Sequence, residues 1–160
     1  MMKKKVFMYM ALMLVIIAGS FLWISRQKEE AKAKVYEVKK SAPIHLTKAE
    51  FISKVANFTA NQTDWKYLGD KPCVIDFYAT WCGPCKMVAP ILEDLASQYD
   101  GQIYIYKVDV DAEPEIAAAY GIQSIPTLFF CPMNGTPQIS QGAMPKESFQ
   151  KMITEVLLKK

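Results

Sequence analysis

From Cys73 to Tyr78 the chain reads Cys-Val-Ile-Asp-Phe-Tyr, a nearly unbroken apolar run, and four residues later it reads Cys82-Gly83-Pro84-Cys85. An apolar run without alternation is the mark of a strand buried on both faces, as in a sheet covered by helices. From Gly83 to about Tyr99 the pattern turns helical, so both cysteines fall where a buried strand gives way to a helix. Thiol chemistry wants that position. A free thiol with a pKa of ~8.5 is only a few per cent thiolate at neutral pH. At a helix N-cap, the positive dipole end and free amides point at the Cys82 sulfur and stabilise its anion. Gly83 lets a partner backbone approach, and Pro84 sits in the first turn, where its missing N–H is harmless. One helical turn separates Cys82 from Cys85, which puts their Cα atoms inside the ~4.4–6.8 Å window of a disulfide.

Two other uses of this pair compete. A zinc site needs two further ligands, yet the chain has one histidine, His45, and Cys73 and Cys131 form no second pair motif. No metal and no cofactor is expected. A purely structural disulfide is the other alternative, although a helix start is an unusual place for one. Asp76 adds a second signal, because it interrupts the apolar strand just ahead of the dithiol. A buried, unpaired carboxylate takes up a proton more readily than usual, and such a group can accept the proton that Cys85 loses before attacking a mixed disulfide. The competing reading of Asp76 is a partly solvated aspartate at a strand edge.

The flanking segments predict alternating strands and helices. Ile44-His45-Leu46 is a short strand. Thr47 and Glu50 form a capping box before a helix whose apolar face is Phe51, Ile52, Val55 and Ala56. Residues 57–70 read as a polar loop dotted with aromatics. Pro90 lies inside the helix that starts at Gly83 and predicts a kink. A strand follows over Ile103–Asp109, then a short helix opened by Pro114 and stopped by Gly121. Thr127–Cys131 and Gln138–Gln141 are strands joined through Asn134-Gly135. Phe149, Met152, Ile153, Val156 and Leu157 make one stripe of a closing helix. The expectation is an α/β fold with a central mixed sheet flanked by helices.

Charge divides the chain. Residues 1–40 hold nine Lys/Arg against three Glu, or +6, whereas residues 41–160 hold ten against thirteen, or −3. The foldable part is mildly acidic, which argues against nucleic acid. Lys3, Lys4 and Lys5 precede an uncharged run from Val6 to Ile24, and 19 residues of helix span roughly 28 Å, near the thickness of a bilayer core. Residues 1–24 are therefore expected to be a signal-anchor or a signal peptide. Ala18-Gly19-Ser20 offers a cleavage site, while Phe21 to Ile24 continue the apolar run past it and favour retention. Residues 25–42 read as a charged, solvated linker, and residues 43–160 as the folded domain.

Taken together, Asp76 through Lys86 resembles the active-site segment of the thioredoxins, Gly-Pro included. Pro90, Lys107-Val108-Asp109, Tyr120-Gly121-Ile122, Ile125-Pro126-Thr127 and Gly142-Ala143 follow in the family's order. The resemblance covers about residues 43–160 and implies a thioredoxin fold, with the hydrophobic N-terminal segment as an addition. It implies Cys82 as attacking thiolate, Cys85 as resolving thiol and Asp76 as the buried carboxylate tuned by Lys107. Gly83 and Pro84 would adjust the potential and thiol acidity of a Cys82–Cys85 redox disulfide. Pro126 would be a cis-proline, and Trp81, Ile125, Pro126, Gly142 and Ala143 would hold the substrate backbone. In the same arrangement Cys73 and Cys131 lie on antiparallel neighbours, close together and remote from the exchange site, bonded or free.

The function expected on this basis is reduction of protein disulfides, with electrons from a thioredoxin reductase or a membrane thiol carrier. Oxidation or isomerisation of disulfides, and a non-enzymatic membrane-tethered binding module, are the alternatives. The basic N-terminal tail resembles a signal sequence and suggests an extracytoplasmic, periplasmic domain anchored through residues 6–24, although Arg26, Lys28, Lys32 and Lys34 beyond the span leave the positive-inside count undecided.

Overall fold

The computed structural model describes Ser20, Trp23, Arg26, residues 41–60 and residues 65–159. The expected membrane segment over residues 6–24, and the linker up to residue 40, lie outside the described residues except for those three positions, which are helical and exposed. Among the described residues no helix is long and apolar enough to cross a membrane. Residues Ser41–Lys160 form one compact unit.

That unit begins with the two-residue strand Ile44–His45 (β1) and the helix Lys48–Lys54 (α1). The capping box closes as the residue types dictate: Thr47 Oγ1 accepts the Glu50 N–H, and the Glu50 carboxylate accepts the Thr47 N–H. The buried strand Cys73–Tyr78 (β2) leads into the 16-residue helix Gly83–Gln98 (α2), which runs on through Pro90. Tyr104–Asp109 (β3), the short helix Pro114–Ala119 (α3), Thr127–Cys131 (β4) and Gln138–Gln141 (β5) follow. Gly121, with φ of 61°, ends the α3 region in the left-handed conformation that glycine tolerates.

The closing helix departs from the expected regular winding. It is α-helical over Lys146–Met152 (α4) and then widens into a π-turn over Ile153–Leu157, with the Leu158 N–H donating to the Ile153 carbonyl. The buried members of its stripe are Phe149, Ile153 and Leu157, spaced by four. A winding looser than 3.6 residues per turn keeps such a series in line.

The five strands form one mixed sheet in the order β1-β3-β2-β4-β5, parallel from β1 to β2 and antiparallel through β4 and β5. Side chains alternate across β2. Cys73, Ile75 and Phe77 enter a core with Phe51, Val55 and Ile116 on the face covered by α1 and α3, whereas Val74 packs with Val88, Leu92 and Phe149 beneath α2 and α4. By that alternation Asp76 points to the α2 side.

Cys73 and Cys131 are register partners at the far end of β2, both fully buried and both free thiols. Burial, and then Cys73 itself, push the Cys131 thiol well up, so it stays protonated and behaves as a small hydrophobe. The pair sits on the opposite face of the sheet from Asp76, and five strand steps of ~3.3 Å separate Cys73 from the end of β2. The double substitution Cys73→Ala/Cys131→Ala is therefore expected to leave disulfide reduction within about two-fold while lowering stability by about 1–3 kcal/mol. Loss of activity in a variant with an unchanged circular dichroism spectrum would give these thiols a part in exchange.

Candidate active site

The end of β2 and the start of α2 build the dithiol. Cys82 has extended backbone (φ −72°, ψ 113°) and is the N-cap of α2, with Pro84 in the first turn. Its sulfur accepts the backbone N–H of Cys85 at 3.2 Å, so one of the free amides of the helix start is aimed at that sulfur. Cys82 and Cys85 form a disulfide with their Cα atoms 5.3 Å apart. Both residues are recessed, at 4% and 3% exposure, while Trp81, Gly83 and Pro84 around them are exposed. A Cβ placed on Gly83 would meet nothing within 4 Å. The glycine therefore borders open space and is not a close internal fit.

Asp76 lies fully buried in β2, and neither carboxylate oxygen accepts a hydrogen bond from the protein. The partly solvated strand-edge reading is thereby replaced by a buried one. Lys107, its register neighbour on β3, brings Nζ to 3.9 Å from Oδ2. Burial raises the Asp76 pKa from its ordinary value to about 6, and the Lys107 charge opposes part of that rise. A carboxyl group poised there exchanges protons near neutral pH.

The loop before β4 faces the dithiol. The Ile125–Pro126 peptide is cis, and the Ile125 carbonyl oxygen lies 3.7 Å from Cys82 Sγ. Ile125 packs against Ala79, Cys82 and Cys85. Gly142, just past β5, donates its N–H to the Pro126 carbonyl at 2.8 Å and has φ of 85°, which a larger residue there would strain. Ala143 follows it, exposed. The structure thus brings Gly142 to Pro126, Ile125 to Cys82, and Lys107 to Asp76.

One contact had no signal in the residue pattern. Trp81, 68% exposed, donates its indole N–H to Asp111 Oδ2 at 2.8 Å. Asp111 follows β3 in a turn and is thirty residues from Trp81, so nothing local marks it as an anchor for that ring.

The thioredoxin family model matches residues 42–155. A thioredoxin of Borreliella burgdorferi is 45% identical over 112 residues, covering 70% of this chain and 95% of that protein. Thioredoxin 1 of Nostoc sp. is 42% identical over 88 residues, covering 55% and 82%. The crystal structure of chloroplastic thioredoxin z superposes with a TM-score of 0.60 at 24% identity, covering 71% of this chain and 93% of that one, a likeness of fold. A recessed disulfide pair at a helix N-cap, a buried carboxylate in the strand that leads to it and a cis-proline facing it accompany these matches: the chain belongs to the thioredoxin family and is a thiol–disulfide oxidoreductase that reduces protein disulfides.

Proposed function

We propose that Cys82 is the attacking thiolate, Cys85 the resolving thiol and Asp76 the group that takes the Cys85 proton. The observation that carries this assignment is the asymmetry of the helix start: Cys82 caps α2 and accepts the Cys85 N–H, whereas Cys85 lies inside the helix. In the first step Cys82 Sγ bonds to one sulfur of the substrate disulfide, and the other leaves as a thiolate. Cys85 then passes its proton toward Asp76 and attacks Cys82 Sγ, which closes the Cys82–Cys85 disulfide and releases the second substrate thiol. A donor dithiol, from a thioredoxin reductase or a membrane thiol carrier, returns two electrons and two protons. Trp81, Ile125, Pro126, Gly142 and Ala143 border the approach to Cys82, a position that suits an extended substrate backbone, and Gly83 and Pro84 tune the pair.

The same reading holds the domain outside the cytoplasm on a retained anchor over residues 6–24. Its support is the Lys3–Lys5 tail and the uncharged run through Ile24. In intact cells a membrane-impermeant thiol reagent is expected to label Cys82 and Cys85, trapped mainly as the dithiol, and the protein is expected to resist alkaline carbonate extraction. Labelling only after lysis would sink export. Carbonate release, or a mature N-terminus at Phe21, would sink the anchor. A pair found mainly as the disulfide would favour an oxidase.

A further inference from the structure

Four side chains run across the sheet from solvent to the buried carboxylate. The parallel register sets His45 of β1 beside Lys107 of β3, and Lys107 beside Asp76 of β2. Tyr78 lies two residues beyond Asp76 and so on the same face. The Lys107 ammonium is 4.1 Å from the centroid of the Tyr78 ring as well as 3.9 Å from Asp76 Oδ2. Tyr78 Oη is 3.1 Å from His45 Nδ1, and the two rings meet edge to face with centroids 5.9 Å apart.

A lysine ordinarily carries its ammonium to water on a flexible stem. Lys107 does not, since its side chain is only 12% exposed. Two partners keep it in place, the face of the Tyr78 ring and the Asp76 carboxylate. The ring is itself fixed by His45. A neutral imidazole can accept the phenol proton at Nδ1, and an imidazolium can donate from Nδ1 to the phenol oxygen. The contact therefore does not depend on one charge state of the histidine.

We propose that Tyr78, braced by His45, is a positioning residue: it holds the Lys107 ammonium against Asp76 and thereby sets how strongly that charge acts on the carboxyl. The titratable groups around this centre are Asp76 and Tyr78 on β2, Lys107 and Asp109 on β3, and His45 on β1, while the Cys82–Cys85 disulfide, against which Tyr78 packs, does not titrate. Burial first, then Asp109, the register partner of Tyr78, and Asp76 disfavour ionisation of the phenol. The ring thus presents a neutral face to the lysine.

The significance of this placement rests on the proton role proposed for Asp76, but its test does not. The Asp76 carboxyl can be titrated by carbon-13 NMR in the full-length oxidised protein in detergent micelles. Lys107→Met removes the opposing charge and is expected to raise the midpoint by about one pH unit. In a Tyr78→Leu background the same substitution is expected to shift it by less than half as much, because the lysine is no longer held at the carboxylate. Tyr78→Phe and His45→Ala keep the ring and remove the brace, so each is expected to give an intermediate shift. An equal Lys107→Met shift with and without Tyr78→Leu would overturn the proposal. If Tyr78→Leu does not fold, an undiminished shift in both Tyr78→Phe and His45→Ala would overturn it instead. A pH–rate profile indifferent to Asp76→Asn would remove the proton role of Asp76, and the coupling measured here would be unaffected by that result.

Discussion

Cys82→Ser is expected to reduce insulin disulfides no faster than dithiothreitol alone, whereas Cys85→Ser is expected to accumulate a mixed disulfide with its substrate. The two outcomes follow from the unequal places of the sulfurs at the start of α2. The first sulfur receives the Cys85 N–H and the field of a 16-residue helix. Serine in its place offers a hydroxyl whose anion is far less accessible at neutral pH, so no covalent intermediate forms. With Cys85 replaced, the first attack remains competent, but no second thiol lies one turn away to release the product. Non-reducing gels read the trapped species directly, and single-turnover rates should separate wild type from Cys82→Ser by more than about a thousand-fold. Equal trapping by both variants would contradict the assignment of roles.

Asp76→Asn is expected to move activity and stability in opposite directions. The native carboxyl has its pKa raised to about 6 from 3.8, so across that interval the folded chain binds more protons than the unfolded one. Stability then falls as pH rises through the interval and levels off above it, the reverse of an aspartate whose pKa is depressed on folding, and the total loss is about 3 kcal/mol. Asparagine does not ionise and escapes this penalty. Relative to wild type, the variant should gain about 3 kcal/mol in urea unfolding between pH 3 and pH 8. Turnover should meanwhile fall by about ten-fold or more at pH 7 and recover as pH rises, because the Cys85 proton must then leave to solvent. A pH–rate profile unchanged from pH 6 to 9 would remove Asp76 from the mechanism, and an unchanged stability difference would show that its carboxyl is not protonated as burial demands.

The parts of this molecule that could be read from the chain are those whose cause is local. Thr47 and Glu50 announce their helix because the capping box closes within four residues. Asn134-Gly135 marks the β4–β5 connection, and Gly135 has φ of 95°. The apolar run at β2 forecast a strand covered on both faces, and Asp76 stood out because it broke that run. The dithiol was legible because a strand-to-helix turn is itself a sequence pattern. Contacts set by register were not. The Trp81–Asp111 bond and the His45–Tyr78–Lys107 series depend on which residue of one strand or turn lies opposite which residue of another, and a slip of one would send each side chain to the other face. From the residues alone His45 is a strand residue and a metal ligand lacking companions, whereas its neighbours make it an aromatic partner. The cis peptide before Pro126 came from the family resemblance alone, since nothing in those residues distinguishes cis from trans.

Burial of Cys73 and Cys131 has a consequence for the chain before it is folded. Four thiols can close into two bonds in three ways, and only one of these leaves Cys82 joined to Cys85. Entropy favours that one, because the partners are three residues apart, and each doubling of a loop adds about 0.6 kcal/mol to its closure. Cys73 is nonetheless only nine positions before Cys82, and until β2 has paired with β4 its thiol is as accessible as any other. Zipping those strands withdraws both spare thiols into the core opposite the active site. From that moment the catalyst can cycle between oxidised and reduced forms without attacking itself. Closure of the sheet thus shields the exchange pair from the two spare thiols of its own chain.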